Sequence, residues 1–235
     1  MSYISHYRRW HPDDDADREK MIEFYTGLFW NTLHDHPRGP ALDAGCGTGL
    51  MLEYLTRTGF TPVAGFDAEP EMVRTCRERG YHVMHGQDGQ AVRELGNEFQ
   101  VISCLDVIEH LDSATAAALC GTFHAALAPG GVFICTVPNA NSVVGERMRY
   151  IDPTHRTSFT ECTLDYLLRE AGFSDITIAP AEWPLKIVYK SWARFVSTLR
   201  LKVVRSWRRM ELLAELGEEG RNIPLSLNLM AVARK

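Results

Sequence analysis

At 235 residues, with 45% apolar and 23% charged side chains, the chain has the composition of a packed globular protein, which excludes a disordered polypeptide. A net charge of −5 argues against a nucleic-acid-binding surface spread over the whole molecule, and no apolar run reaches the ~18 residues of a membrane-spanning helix. The six cysteines form no C-x-x-C pair, and residues 1–10 lack a signal-peptide apolar core, so a reduced, cytoplasmic protein is expected.

Tyr3, Tyr7 and Trp10 sit among polar neighbours and suggest a lid over a site. The acidic run Asp13-Asp14-Asp15-Ala16-Asp17 offers N-cap candidates and suits a helix N-terminus. A helix through Met21, Phe24, Tyr25, Leu28 and Phe29 is predicted to stop before His36-Pro37. Strands are then predicted at 41–44, 62–67, 81–86, 99–105 and 131–137, with helices near 48–57, 69–79 and 113–127. Three helices end alike, in Arg57-Thr58-Gly59-Phe60, Arg79-Gly80-Tyr81 and Arg169-Glu170-Ala171-Gly172-Phe173. In each, glycine can take the left-handed cap and the aromatic can fold back on the last turn. Alternating strands and helices mean a mostly parallel sheet covered on both faces. A strand near 175–179, a long helical stretch over 185–214 and a strand over 225–233 complete the chain. That last strand has no crossover helix behind it and can enter antiparallel.

The most informative stretch is Asp43-Ala44-Gly45-Cys46-Gly47-Thr48-Gly49, a strand running into alternate glycines and then a helix. Such a loop lets backbone approach a ligand at the carboxyl edge of the sheet. Leu50 stands where a dinucleotide fingerprint would want its last glycine, and the absence of G-K-[ST] excludes a P-loop. Asp67 ends the second strand, where a carboxylate can accept both ribose hydroxyls. Gln87-Asp88 follows the third strand, Asp106-Val107-Ile108-Glu109-His110-Leu111 the fourth, and Leu127-Ala128-Pro129-Gly130-Gly131 precedes the fifth. In this order the motifs resemble class I S-adenosylmethionine-dependent methyltransferases over roughly residues 20–180. The resemblance implies a Rossmann-like seven-stranded sheet with an antiparallel last strand. It also implies that Asp43, Gly45, Cys46, Gly47 and Gly49 face the methionyl part of S-adenosylmethionine, Asp67 the ribose, and Gln87 and Asp88 the adenine. Ala68, Leu105 and Asp106 complete the implied cofactor set. On this reading the chain is one domain: an N-terminal lid and helix (1–36), a cofactor-binding core (37–180), a basic helical insertion (181–222) and a last strand (223–235).

Methyl transfer to a hydroxyl needs in-line alignment and a base. Asp106 and His110 after the fourth strand and His155 after the fifth are the catalytic candidates. His155 serves either as the base or as a tie between its loop and backbone carbonyls. The segment Asp152-Pro153-Thr154-His155-Arg156-Thr157-Ser158-Phe159-Thr160 resembles a subgroup that methylates sugars and cell-surface glycans. A sugar hydroxyl on a surface glycan or lipid-linked precursor is therefore the expected acceptor, with a phenol or quinone as the alternative. A non-catalytic cofactor-binding subunit and an NAD-dependent oxidoreductase are further alternatives. The intact cofactor motifs and the lack of a hydride-acceptor constellation weigh against these two. Asp106-x-x-Glu109-His110 resembles the E-x-x-E-H stretch of metal-dependent quinone O-methyltransferases, with Asp for the first Glu, which brings Mg²⁺ in as an alternative. The same string is widespread in metal-free relatives, and no metal ligand is assigned from it. The motifs expected for base-amino or protein-arginine methylation are missing.

Residues 185–210 hold eight of the 25 Lys/Arg and no Asp or Glu. Val188, Trp192, Phe195, Leu199, Val203 and Trp207 recur there at helical spacing, with Lys186, Lys190, Arg194, Arg205, Arg208 and Arg209 on or beside the other face. The pattern suits a helix packed on the sheet, a helix at the inner face of an anionic membrane, or a helix that holds an anionic acceptor.

Overall fold

The computed structural model describes residues 13–182 and 192–235. Tyr3, Tyr7, Trp10, Lys186, Val188 and Lys190 lie outside the described residues, as does the lid reading that rests on the first three. Helix α1 (Asp15–Leu33) begins at Asp14, whose carboxylate accepts the Asp17 amide at 2.9 Å. Four parallel strands follow: β1 (Ala41–Ala44), β2 (Val63–Asp67), β3 (His82–His85) and β4 (Phe99–Leu105). Between them run α2 (Leu50–Arg57), α3 (Pro70–Glu78) and α4 (Gly89–Leu95). Next come α5 (Ser113–Ala126), β5 (Leu127–Pro138), α6 (Gly145–Tyr150), α7 (Glu161–Glu170) and β6 (Asp175–Pro180). Helix α8 (Trp192–Leu216) and strand β7 (Asn228–Arg234) close the chain. The sheet order is β3-β2-β1-β4-β5-β7-β6, with β7 antiparallel to both neighbours. The late strand thus slots between β5 and β6 in the expected sense.

Three differences from the sequence reading have local causes. Strand β5 starts at Leu127 rather than 131, because Leu127 already pairs with Phe99 across a register shift. Helix α4 follows Asp88, whose side chain accepts the Gln90 amide at 2.9 Å, and its seven residues are too short for a periodic signal. The six-residue α6 escapes notice for the same reason. The three helix ends conform: the amides of Phe60, Tyr81 and Phe173 reach back to the carbonyls of Leu55, Cys76 and Leu168, and Gly59, Gly80 and Gly172 carry φ of 93°, 86° and 103°.

The central strands are buried nearly throughout, so the side chains that alternate between the two faces both meet packed helices. Phe133 and Cys135 of β5, with Ala231 and Ala233 of β7, pack with α4, α5 and α7. Val132 and Ile134, with Met230 and Val232, pack with Phe29 and Leu33 of α1 and with Met51 and Leu55 of α2. Helix α8 leaves part of its apolar surface outside, although Leu212 is buried. Trp192, Val203, Trp207 and Met210 are exposed, so this part of the stripe does not pack on the sheet. Guanidiniums also seat the helix: Arg205 forms a bidentate pair with Glu182 at 2.6 and 2.9 Å, and Arg209 donates to the Gly220 and Ile223 carbonyls.

Asn139 joins the end of β5 to the approach into β7. It is fully buried, donates to the Pro224 and Ser226 carbonyls at 2.9 Å each, and accepts the Asn141 amide. Asn139→Ala strands two buried carbonyls, so stability should fall by about 2–4 kcal/mol, read as a lower urea midpoint at unchanged slope.

Candidate functional site

Gly45, Gly47 and Gly49 adopt φ of 72°, 51° and 84°, the left-handed region that a Cβ resists. At Gly45 a Cβ would also collide with the Val107 side chain, so β4's exit packs directly beneath the loop. Asp67 locks the loop from the next strand. Its Oδ2 accepts the Gly47 amide and its Oδ1 the Glu69 amide, both at 2.8 Å. From outside, Arg18 donates to the Thr48 and Gly49 carbonyls, and Arg79 donates to the Thr48 carbonyl. Asp13 pairs with both guanidiniums and Glu53 with Arg18. This clamp holds the loop carbonyls outward. Sequence reading missed it, because Asp13 and Arg18 look like ordinary helix-start residues.

The expected adenine residues line a real concavity. Ala68, Gln87 and Asp88 border a cavity of about 380 Å³ just beyond Asp67, and Asp88 caps α4 while doing so.

Asp43 lies beneath the glycine loop, 3% exposed, and accepts the Ser103 hydroxyl at 2.7 Å. Burial pushes its carboxyl up to about 7; the Ser103 hydrogen bond opposes the shift and the Asp67 charge adds to it. A carboxyl whose pKa rises on folding stabilises the fold while protonated, and that contribution drains away as pH climbs from about 4 to about 7. Asp43→Asn keeps an acceptor for Ser103 and removes the ionisation. The ligand-free variant should therefore melt higher than the parent at pH 8, by a margin on the order of 3–4 kcal/mol that shrinks towards pH 4, as read by calorimetry.

Beyond β4 the residues divide into two groups. Asp106 takes φ 54°, and its carboxylate accepts from Thr136 at 3.0 Å and Asn228 at 3.3 Å. It turns towards β5 and β7, so the grouping of Asp106 with Glu109 and His110 as a hard-metal set does not assemble. His155 takes its place: ligand atoms of Glu109, His110 and His155 all lie within 4.8 Å of one another. A set with two imidazoles and one carboxylate does not meet the all-oxygen, octahedral demand of Mg²⁺. Glu109 is 1% exposed, and burial, with the nearby Asp106 charge, pushes its carboxyl well above the usual range. Burial and the neighbouring His155 lower the His110 imidazole below its ordinary value. The His155 Nδ1 lies 2.9 Å from the Met148 carbonyl oxygen, which can only accept. Its proton therefore sits on Nδ1, and the Nε2 lone pair is left over. His155 is thus a loop tie through its Nδ1. Thr136 and Asn228 were not singled out in the sequence, and no local motif marks them; Thr154 stands in the segment around His155 but was given no role there.

A methyltransferase domain family matches residues 16–178. The ubiquinone biosynthesis O-methyltransferase of Methylobacterium nodulans is 37% identical over 103 residues, covering 42% of this chain and 40% of that protein. Its namesake from Cereibacter sphaeroides is 31% identical over 152 residues, covering 57% and 60%. The chain thus spans about half the length of the curated relatives it matches. Among solved structures, an S-adenosylmethionine-dependent methyltransferase from Archaeoglobus fulgidus superposes with a TM-score of 0.71 at 21% identity, over 100% of both chains. Magnesium protoporphyrin IX methyltransferase from Synechocystis, solved with bound S-adenosylmethionine, gives 0.59 at 15% identity over 100% of this chain and 92% of that one. Since the family match spans the glycine loop, the Asp67 turn and the β4 exit, the chain belongs to the S-adenosylmethionine-dependent methyltransferases.

Proposed function

We propose that the chain methylates a hydroxyl oxygen of a small phenol- or quinol-type acceptor. The observation that carries this reading is the imidazole pair after β4 and β5, with ring centroids 4.7 Å apart and the His155 Nδ1 tied to a carbonyl. The relatives named for ubiquinone biosynthesis support the same acceptor class. Nothing in the comparisons supports the sugar or glycan acceptor expected from the segment around His155.

S-adenosylmethionine, when bound, supplies an electrophilic methyl group on sulfur. Asp67 would hold its ribose, and the cavity bordered by Ala68, Gln87 and Asp88 its adenine. Gly45, Cys46, Gly47 and Gly49, above Asp43, would present backbone to its methionyl part, with Leu105 and Asp106 at the floor. The His155 Nε2 would take the hydroxyl proton as the oxygen attacks, and His110 would orient the acceptor. His155→Ala should lower kcat by about 10²–10⁴-fold and leave S-adenosylhomocysteine affinity near normal. Asp67→Ala should do the converse, weakening that affinity about tenfold or more. Full turnover by folded His155→Ala on phenolic acceptors would refute the base assignment.

The exposed stripe on α8 supports a membrane-surface role as part of this reading. Trp192, Leu199, Val203, Trp207 and Met210 succeed one another at helical spacing on the outer side, among cationic residues and with no acidic residue before Glu211. An amphipathic helix of this kind seats its apolar side in a bilayer whose anionic headgroups attract the Lys/Arg, at about 1 kcal/mol each. No helix among the described residues is long and apolar enough to cross a membrane. Wild-type protein should bind phosphatidylserine-containing vesicles at low salt and release as salt rises. The exposed pair Val203→Glu and Trp207→Glu should abolish binding and spare turnover on a water-soluble acceptor. Arg205 and Arg209 are poor test positions, because they seat the helix.

A further inference from the structure

Two thiols meet under the glycine loop. The Cys46 and Cys76 sulfurs are 4.0 Å apart although the residues are 30 positions apart in sequence, and both residues are buried. We propose that this pair is an oxidation site: a hydroperoxide converts it to a disulfide, and the disulfide weakens cofactor binding. The effect on the cofactor rests on the proposed placement of S-adenosylmethionine against the glycine loop.

The pair is built into the loop's own hydrogen bonding. Cys46 belongs to the loop, whereas Cys76 reaches it from α3. The Cys76 thiol donates to the Gly47 carbonyl at 3.2 Å. A carbonyl can only accept, so that bond uses the one Cys76 proton, and Cys46 is the donor between the two sulfurs. Gly47 is thereby held at both its backbone groups, the amide by Asp67 at 2.8 Å and the carbonyl by Cys76. At Gly49 an added Cβ would stand 3.1 Å from the Cys76 sulfur, so the loop already abuts α3 there.

The two thiols are unequal. The hydrogen bond from Cys46 draws Cys76 below the ordinary thiol value, and the Arg79 charge adds to it against burial and the Asp43 and Asp67 charges. The same bond and burial push Cys46 up. Cys76 is therefore the thiol that reacts first and Cys46 the one that resolves. With hydrogen peroxide, the Cys76 sulfur attacks one oxygen: an S–O bond forms, the O–O bond breaks, and the departing hydroxide leaves as water with the Cys76 proton. Sulfur gives two electrons to the peroxide and becomes a sulfenic acid. The Cys46 sulfur then displaces its hydroxyl: the S–S bond forms, the S–O bond breaks, and a second water carries off the Cys46 proton.

Closure disturbs the loop in two ways. The sulfurs must approach from 4.0 Å to about 2 Å, which draws Cys46 and α3 together. Cys76 also has no proton left for the Gly47 carbonyl, so Gly47 loses one of its two anchors.

The test treats the full chain carrying Cys162→Ser, which removes an exposed thiol, with hydrogen peroxide. Peptide mapping by mass spectrometry reads the disulfide. Calorimetry reads S-adenosylhomocysteine affinity before treatment, after it, and after dithiothreitol. A Cys46–Cys76 disulfide is expected, with affinity weaker by about tenfold or more and restored by dithiothreitol. Cys76→Ser keeps a hydroxyl donor and cannot form the bridge, so its untreated and treated forms should bind alike; circular dichroism checks its folding. Treated protein without a Cys46–Cys76 disulfide would overturn the site, a result that needs no Cys76 variant. A disulfide form that binds as tightly as the dithiol would overturn the effect on the cofactor. Failure of the reduced protein to bind S-adenosylhomocysteine would instead refute the cofactor placement, and the peptide map would still decide the oxidation site.

Discussion

The two amide hydrogen bonds to the Asp67 carboxylate join the ends of β1 and β2 through a single side chain. The Gly47 amide comes from the glycine loop and the Glu69 amide from the turn before α3, each 2.8 Å from its own carboxylate oxygen. Burial raises the Asp67 carboxyl, and these two amides oppose the shift. Each carboxylate oxygen keeps a further lone pair beyond the amide it accepts. The loop can supply its amide inward only because Gly45, Gly47 and Gly49 turn left-handed. Its carbonyls must then point outward, where Arg18 and Arg79 receive them. The cationic clamp and the buried carboxylate are two sides of one backbone conformation.

The other half of the site is organised by Glu109. Its carbonyl accepts the Arg156 amide at 2.7 Å and the Thr157 amide at 3.2 Å. Those bonds draw the loop after α6 against the β4 exit and set His155 beside His110. The left-handed Asp106 begins this turn. Its amide donates to the Thr136 carbonyl and its carboxylate receives the Thr136 hydroxyl, so the exits of β4 and β5 are stapled from both backbone and side chain. Asp tolerates a left-handed φ better than most residues, which suits it to this position.

Elements whose signals are local could be read from the sequence. The helix-end glycines, the glycine loop, Asp67 and the antiparallel final strand each depend on a few consecutive residues, and each has its expected form. Contacts that depend on convergence of distant segments could not be read. His155 is 45 positions from His110, and contacts between the two segments, among them the Glu109 carbonyl bonds and the His110–Thr154 hydrogen bond, bring them together, so Asp106 looked like the third member of a cluster to which it does not belong. The stripe on α8 was legible as a stripe. Its direction was not, because periodicity identifies a face without saying what that face meets.

That direction has a structural consequence. Leaving Trp192 and Trp207 in water forfeits burial worth about 2 kcal/mol or more for each large apolar side chain, while guanidiniums help to seat the helix. Arg209 donates to the Ile223 carbonyl, Asn139 to the carbonyls of Pro224 and Ser226, and Asn228 to Asp106. The segment 223–228 is therefore bonded at one end to α8 and at the other to the β4 exit that carries His110. A helix that spends apolar surface on solvent while seating itself through backbone carbonyls has its position fixed from inside and its outer face open to a surface.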